Sequence, residues 1–112
     1  MSYLYEMIVC VVNSGFSDNV MSAAREYGAK GGTVLTARGT ANQEAETFFG
    51  ISIQPEKEVV LILVPAKIKD DILHAIYQKV GLATPGQGIA FTLPVENAVG
   101  LPNLSAAEAP NG

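Results

Sequence analysis

The chain has few of the residues that cross-link a fold or bind a metal. Its 112 residues contain one cysteine (Cys10), one histidine (His74) and no tryptophan. A single cysteine excludes a disulfide within the chain, and its place in an apolar run predicts a buried, unreactive thiol. His74 has no second histidine or cysteine at metal-ligand spacing, so we predict no metal site.

Basic residues and long apolar runs are also scarce. Seven basic side chains against eleven acidic ones give a net charge of −4, which argues against a nucleic-acid partner. No apolar run approaches the roughly 20 residues that a membrane-spanning helix needs, so we predict no membrane insertion. The N-terminal apolar segment has no basic leader and is interrupted by Glu6, which argues against a signal peptide. These features predict a cytoplasmic, single-domain protein.

The apolar pattern that is present predicts four strands and two helices. The strands are expected at Leu4–Val12, Thr33–Arg38, Lys57–Val64 and Ile89–Leu93, with Pro65 and Pro94 ending the last two. The helices are expected at Asp18–Tyr27 and over the apolar face from Ile68 to Val80. The resulting order predicts an α+β, ferredoxin-like β-α-β-β-α-β fold, a four-stranded antiparallel sheet with both helices on one face.

Side chains near the helix ends predict where each helix begins and ends. Ser17 is expected to be the N-cap of the first helix, Gly28 its left-handed C′ residue, and Gly81 the cap of the second. The buried faces are expected to consist of Val20, Ala23, Ala24 and Tyr27 in the first helix, and Ile68, Ile72, Leu73, Ile76, Tyr77 and Val80 in the second. The first and third strands are apolar at nearly every position, so both sheet faces need cover, and association of sheets between subunits is expected.

A long segment separates the second and third strands. Residues 39–54 are polar and acidic at first and then apolar at Phe48, Phe49, Ile51 and Ile53. A loop of this length in a small domain is usually functional or disordered, and we predict that this loop is the main functional region of the protein. The domain is expected to comprise residues 1–101, followed by a flexible tail over residues 102–112.

Three features together resemble the PII signal-transduction family, the nitrogen regulatory P-II proteins. They are the sequence Gly31-Gly32-Thr33-Val34 opening the second strand, the long loop in the place of the family's T-loop, and a glycine loop with the strand that follows it. The last feature reads Thr84-Pro85-Gly86-Gln87-Gly88-Ile89-Ala90-Phe91, then Leu93-Pro94-Val95-Glu96. The resemblance covers about residues 4 to 100.

The resemblance implies a homotrimeric, non-enzymatic regulator. Such proteins bind adenine nucleotides between subunits, and AMP, ADP, ATP or cyclic AMP is the expected effector. They control a partner protein through the T-loop, for example a membrane transporter or a protein of nitrogen or carbon metabolism. The implied nucleotide-binding residues are Gly31, Gly32, Thr33, Arg38, Gly39, Thr84, Gly86, Gln87 and Gly88. The implied partner-binding residues are Glu44, Phe48, Phe49 and Ile51.

The physical reason for this site is that Gly86 and Gly88 carry no side chain, so backbone N–H groups can converge on phosphate oxygens. Arg38 can pair with a phosphate. Two alternatives stay open at this point: residues 84–88 as an ordinary turn, and Arg38 as a solvated strand end. Two further function classes also stay open, a metal-tolerance-type trimeric binding module and a small hydrolase on the same fold.

The chain departs from the family's pattern at several charged positions. Ile89 stands where the family has a lysine after the glycines, and Arg25 and Arg38 are the only arginines, so the family's C-terminal arginines have no counterpart. Residues 39–54 contain no tyrosine. Glu56 follows Pro55 where a lysine is usual, with Lys57 one position later. The chain therefore resembles a PII-like relative rather than a standard nitrogen sensor, and whether it binds a carboxylate with magnesium and ATP stays open.

Overall fold

The computed structural model describes residues 3–40 and 55–100. The predictions for Glu44, Phe48, Phe49 and Ile51, and for the tail 102–112, fall outside the described residues. Among the helices that are described, none has the length and apolar character needed to cross a membrane.

The described residues form one antiparallel sheet with two helices. The elements are β1 (Tyr5–Asn13), α1 (Ser17–Glu26), β2 (Thr33–Arg38), β3 (Glu56–Pro65), a short 3₁₀ turn (Ala66–Ile68), α2 (Lys69–Val80) and β4 (Ile89–Val95). The strand order is β2-β3-β1-β4, and every neighbouring pair is antiparallel. This confirms the predicted ferredoxin-like fold.

The core lies between the two helices and one face of the sheet. Successive side chains of a strand point to opposite faces, and alternate residues of β1 and β3 are fully buried beneath the helices. These residues are Ile8, Cys10, Val12, Val60, Ile62 and Val64. Burial raises the pKa of the Cys10 thiol to about 11, which keeps it protonated at neutral pH. Cys10 is thus the buried, unreactive thiol that the sequence predicts.

The helix faces match the prediction except at two tyrosines. Val20, Ala23 and Ala24 in α1 and Ile72, Ile76 and Val80 in α2 are buried, as expected. Tyr27 and Tyr77 are 47% and 64% exposed, so their predicted burial is wrong. Tyr27 follows the last residue of α1, and Tyr77 lies at the margin of the apolar stripe. Met21, which the periodicity did not include, is buried instead.

The N-terminus of α1 is capped by a residue from a strand rather than by Ser17. The helix begins at Ser17, and no side chain caps it from the N-cap position. Instead Glu58 Oε1 accepts hydrogen bonds from the N–H groups of Gly15 (2.9 Å) and Ser17 (3.2 Å). These bonds, that of Gly15 foremost, lower the pKa of the Glu58 carboxyl, against a smaller opposing effect of burial. The carboxylate also suits the positive end of the helix dipole.

Glycines and prolines at the element ends give a mixed outcome. Gly28 has φ +108°, as predicted for a left-handed C′ residue. Gly81 is the C-cap of α2, as predicted, with its N–H donating to Tyr77 O and its backbone extended. Pro65 is the last residue of β3, and β4 continues through Pro94 to Val95, one or two residues beyond the predicted ends. Because β4 is an edge strand, Pro94 removes no hydrogen bond that the sheet needs.

The face of the sheet opposite the helices is apolar, and none of the residues in 3–40 and 55–100 covers it. Cross-strand pairing makes it continuous, since Val9 lies opposite Leu61 on one side and Phe91 on the other. We call this surface the open face; it consists of Met7, Val9, Val11, Leu35, Val59, Leu61, Leu63, Ile89, Phe91 and Leu93. Ile89 and Leu93 are 54% and 52% exposed.

The Glu58 cap should make stability depend on acid pH. Glu58→Ala is expected to lower the free energy of unfolding by about 1 kcal/mol near neutral pH. The pKa of the Glu58 carboxyl is lower in the folded protein than in the unfolded chain, where it is near 4.5. The cap therefore stabilises the fold fully above the unfolded pKa, and this stabilisation is lost as the pH falls through the lower folded pKa. Glu58→Gln should therefore lose less stability than the wild type on acidification. Urea unfolding over that pH range checks this, with exposed Glu96→Gln as control. Identical acid profiles for the wild type and Glu58→Gln would contradict the assignment.

Candidate functional site

Most residues of the predicted nucleotide-binding site lie at one end of the sheet. In this antiparallel arrangement β1 and β2 end where β3 and β4 begin. The turn after Asn13, the two stems of the long segment, and the loop before β4 therefore lie at the same end, which we call the loop end. A single topological constraint brings together stretches that are distant in sequence.

The two stems of the long segment meet at this end. The N–H of Gly39 donates to the carbonyl of Pro55 (2.8 Å), directly beyond the last ladder pair, Arg38 with Glu56. A Cβ on Gly39 would lie 3.2 Å from Pro55 Cγ and 3.3 Å from Lys57 Cε. The absence of a side chain at Gly39 therefore allows the stems to approach closely.

A polar pocket of about 390 Å³ lies beside these stems. It is lined by Ser14, Thr36, Ala37, Arg38, Glu56 and Lys57. The lining residues include two with cationic side chains, one carboxylate and two hydroxyls, and the volume is typical of small-molecule sites. The lining suits a small anionic ligand. Within the described parts of the chain, no cluster of three or more histidine, cysteine, aspartate or glutamate side chains offers a metal site.

The loop before β4 is held mainly by its own backbone. The N–H and the hydroxyl of Thr84 both donate to Gly81 O, at 2.9 and 2.8 Å. Gln87 N donates to Thr84 O (3.0 Å), and Gly88 N donates to Val80 O (2.5 Å). Three of the N–H groups that the resemblance directs at phosphate thus serve the loop itself. The Gly86 N–H is the one in residues 84–88 with no acceptor among the described residues.

Gly88 is also required for packing. A Cβ there would lie 2.5 Å from the carbonyl oxygen of Val80 and 3.0 Å from Val12 Cγ1, where Gly88 bridges to Gly81. The neighbouring Gln87 is exposed with φ +46°, a left-handed conformation that is uncommon for a residue with a side chain. Such conformations persist only where the surrounding contacts hold them, often at ligand sites.

The remaining predicted residues lie away from the loop end of the same chain. Thr33 pairs with Leu61 in the middle of the sheet, whereas Arg38 pairs with Glu56. Five steps of about 3.4 Å place Thr33 roughly 17 Å from Arg38 along β2. A Cβ on Gly32 would lie 2.9 Å from both Leu61 O and Met21 Sδ, so Gly32 permits close packing. Gly31, Gly32 and Thr33 are therefore not gathered with residues 84–88 within one chain.

The two halves of the predicted site belong to opposite edges of the sheet. β2 carries Arg38 and is one edge strand, while residues 84–88 lead into β4, the other edge strand. Three strand spacings of about 4.8 Å separate these edges by roughly 14 Å.

Sequence reasoning missed Asn13 as a site residue. Its side-chain oxygen accepts a hydrogen bond from Lys57 Nζ (2.7 Å), and its amide donates to Pro85 O (2.9 Å). Its backbone N–H donates to Gly86 O (2.9 Å). The available signal was the sequence Asn13-Ser14-Gly15, which indicated only the end of a strand.

The fold, the stems of a long segment and a glycine loop at one end of the sheet define a small ferredoxin-like domain with a candidate binding site at that end. The family model described as nitrogen regulatory protein P-II matches residues 5–102. The chain belongs to the nitrogen regulatory protein P-II family. A comparison with curated protein sequences finds no match.

Solved structures of P-II proteins have the same fold. Arabidopsis thaliana PII bound to citrate is 20% identical, with 91% of this chain and 84% of that one covered and a TM-score of 0.66. The GlnK–ATP complex of B. subtilis is 16% identical, with coverages of 86% and 87% and a TM-score of 0.67. A PII-like signalling protein of Thermus thermophilus is 18% identical, with coverages of 85% and 90% and a TM-score of 0.63.

The packing of Gly88 predicts the effect of adding a methyl group. Gly88→Ala should lower the free energy of unfolding by about 1–3 kcal/mol, because the new Cβ forces backbone to move. Gly31→Ala is a matched control, since nothing lies within 4 Å of a Cβ at that position. Urea unfolding of both variants checks the prediction, and equal stability of Gly88→Ala and wild type would contradict it. Substitutions at Gly88 are for the same reason unsuitable as probes of ligand binding.

Proposed function

We propose that the protein is a PII-like regulator that binds an adenine nucleotide between the subunits of a homotrimer and controls a partner protein through residues 39–54. The observation that carries the proposal is the gathering of three features at the loop end: the stems of the long segment, the polar pocket and residues 84–88. A ligand bound there touches the base of the segment expected to meet the partner. Effector binding at this place can therefore be coupled to binding of the partner.

The open face supports association into a trimer. It is continuous across β1, β3 and β4, and its exposed edge residues Ile89, Phe91 and Leu93 would lose contact with water in an assembly. The two halves of the predicted site lie on opposite sheet edges of one chain. Assembly into a trimer would bring one half from each of two neighbouring protomers together. The 84–88 loop of one protomer can then face the Arg38 end of β2 in its neighbour.

The chemistry of the loop end supports an effector with few charges. The pocket offers cations from Arg38 and Lys57, and residues 84–88 offer one backbone donor that is not used within the described chain, the Gly86 N–H. Ile89 adds no charge. The B. subtilis and Arabidopsis structures contain ATP and citrate, both anionic. AMP or cyclic AMP suits the site of this chain better than ATP, since a single phosphate needs fewer charged partners.

The partner is a protein, for example a membrane transporter or a protein of nitrogen or carbon metabolism, and Glu44, Phe48, Phe49 and Ile51 remain the predicted contacts. Catalysis is not part of the proposal. In the described chain Cys10 is buried under the helices and His74 is exposed on α2. No observation favours a hydrolase or a metal-tolerance module over a regulator.

Effector binding can be tested with the two arginines of the chain. Thermal-shift measurements with AMP, cyclic AMP, ADP and ATP should show stabilisation, because a ligand that binds only the folded state raises its stability. Calorimetry with AMP should show affinity reduced about tenfold or more in Arg38→Gln, as a charge-assisted contact contributes about 1.5–3 kcal/mol. Arg25→Gln, on the exposed side of α1, should bind as the wild type does. Absence of binding by any adenine nucleotide, or equal losses in both variants, would count against the site.

The trimer has its own test. Light scattering should give about three times the 11.8 kDa chain mass at micromolar concentration. Phe91→Glu should dissociate the assembly by placing a charge within the open face. Val99→Glu is the control, since Val99 is 97% exposed and lies outside the sheet. A stable wild-type monomer would refute the association, independently of nucleotide binding.

A further inference from the structure

Asn13 is the residue through which the two sides of the loop end are joined. It is the last residue of β1, the strand between β3 and β4. Toward β3 it accepts a hydrogen bond from Lys57 Nζ at 2.7 Å. Toward β4 it donates twice, from the side-chain amide to Pro85 O and from the backbone N–H to Gly86 O, both at 2.9 Å. One side chain thus connects the start of β3 with the loop before β4.

The bond to Pro85 fixes the direction of the Gly86 N–H. In a trans peptide the C=O and the following N–H lie in one plane and point in opposite directions. With Pro85 O directed at Asn13, the Gly86 N–H must point away from Asn13. This is the N–H group in residues 84–88 with no acceptor among the described residues. Gly86 itself is packed closely, since a Cβ there would lie 3.1 Å from Val80 Cβ and 3.3 Å from Phe16 Cδ1.

The bond from Lys57 places Asn13 in contact with the stem of the long segment. Lys57 lies between Asn13 and Ala37 in the sheet and lines the polar pocket. Next to Lys57, Ser14 N donates a hydrogen bond to Glu56 O (3.2 Å), and Gly39 N donates one to Pro55 O. Asn13 therefore holds the ammonium group of a residue that lines the pocket and belongs to the second stem's strand.

We propose that Asn13 is a positioning residue of the effector site, orienting the Gly86 N–H with its amide and holding the Lys57 ammonium with its carbonyl oxygen. A ligand that moves either group then moves the other through the same side chain. This gives a path within one subunit from residues 84–88 to the stem of the 39–54 segment. The proposal rests on the proposed function, because it names the residue that orders that site.

The first part of the test needs no nucleotide. Asn13→Asp retains an acceptor for Lys57 but has no N–H for Pro85 O, and it sets two acceptors against each other. NMR hydrogen exchange of the Gln87 and Gly88 amides should accelerate about tenfold, since loss of the anchor favours local opening. Asn19→Asp, exposed on α1, is the matched control and should leave these rates unchanged.

A second variant covers the case in which Asn13→Asp fails to fold. Lys57→Met retains most of the aliphatic chain and removes only the group bound by Asn13. It should also accelerate exchange at Gln87 and Gly88, by a smaller factor, although Lys57 itself makes no contact with those residues through a hydrogen bond. Exchange rates equal to those of the wild type in these variants would overturn the proposal.

The second part of the test measures AMP binding by calorimetry. Asn13→Asp should weaken AMP binding about tenfold or more relative to wild type and Asn19→Asp. Faster exchange with unchanged AMP affinity would overturn the proposal, because Asn13 would then hold the loop without positioning the site. If the wild type itself binds no adenine nucleotide, the proposed function fails and Asn13 positions no such site. The exchange rates still show separately whether the Asn13 bonds hold the loop.

Discussion

The central strands β1 and β3 determine both the hydrophobic core and the surface available for association. β1 and β3 are hydrogen-bonded along their whole lengths and carry apolar side chains on both faces. One face is buried by α1 and α2. The other face has no cover from the described chain. The same alternation that builds the core therefore creates the surface through which subunits are expected to associate.

The antiparallel order of the sheet explains why function is expected at one end. Three connections of different kinds converge there: the turn into α1, the stems of the long segment and the glycine loop. Their backbone groups are largely satisfied by one another, by Asn13 and by Glu58. Groups that are already held by hydrogen bonds to one another lose less conformational entropy when a ligand binds. Because most backbone N–H groups at the loop end are already hydrogen-bonded, few remain to bind a ligand, which favours a ligand with few charges.

The fold could be predicted from the sequence because strands of period two and helices of period 3.6 carry strong local signals. The left-handed conformation of Gly28 was equally predictable, since a helix that ends with a left-handed residue favours glycine there. Tyr27 and Tyr77 were assigned wrongly because both lie at the margin of an apolar stripe, where packing between elements decides burial. Pro94 was assigned wrongly because a sequence does not show that its strand lies at an edge.

The candidate site was only partly predictable for a related reason. Motif resemblance indicated residues 84–88, but the use of their N–H groups inside the loop depends on Gly81 and Val80, which belong to another element. The roles of Asn13 and Glu58 arise from hydrogen bonds across more than 40 positions in sequence. No local pattern encodes such contacts. The separation of Thr33 from Arg38 similarly follows from the length of β2 and the register of the sheet.

We propose an effector site that is shared between subunits and includes the Gly86 N–H. A crystal structure of the protein grown with AMP tests this most directly. We expect AMP between two protomers, with a phosphate oxygen within hydrogen-bond distance of Gly86 N of one chain and the nucleotide against the Arg38 end of β2 of the other. AMP bound within a single chain, or on the helix side of the sheet, would contradict it.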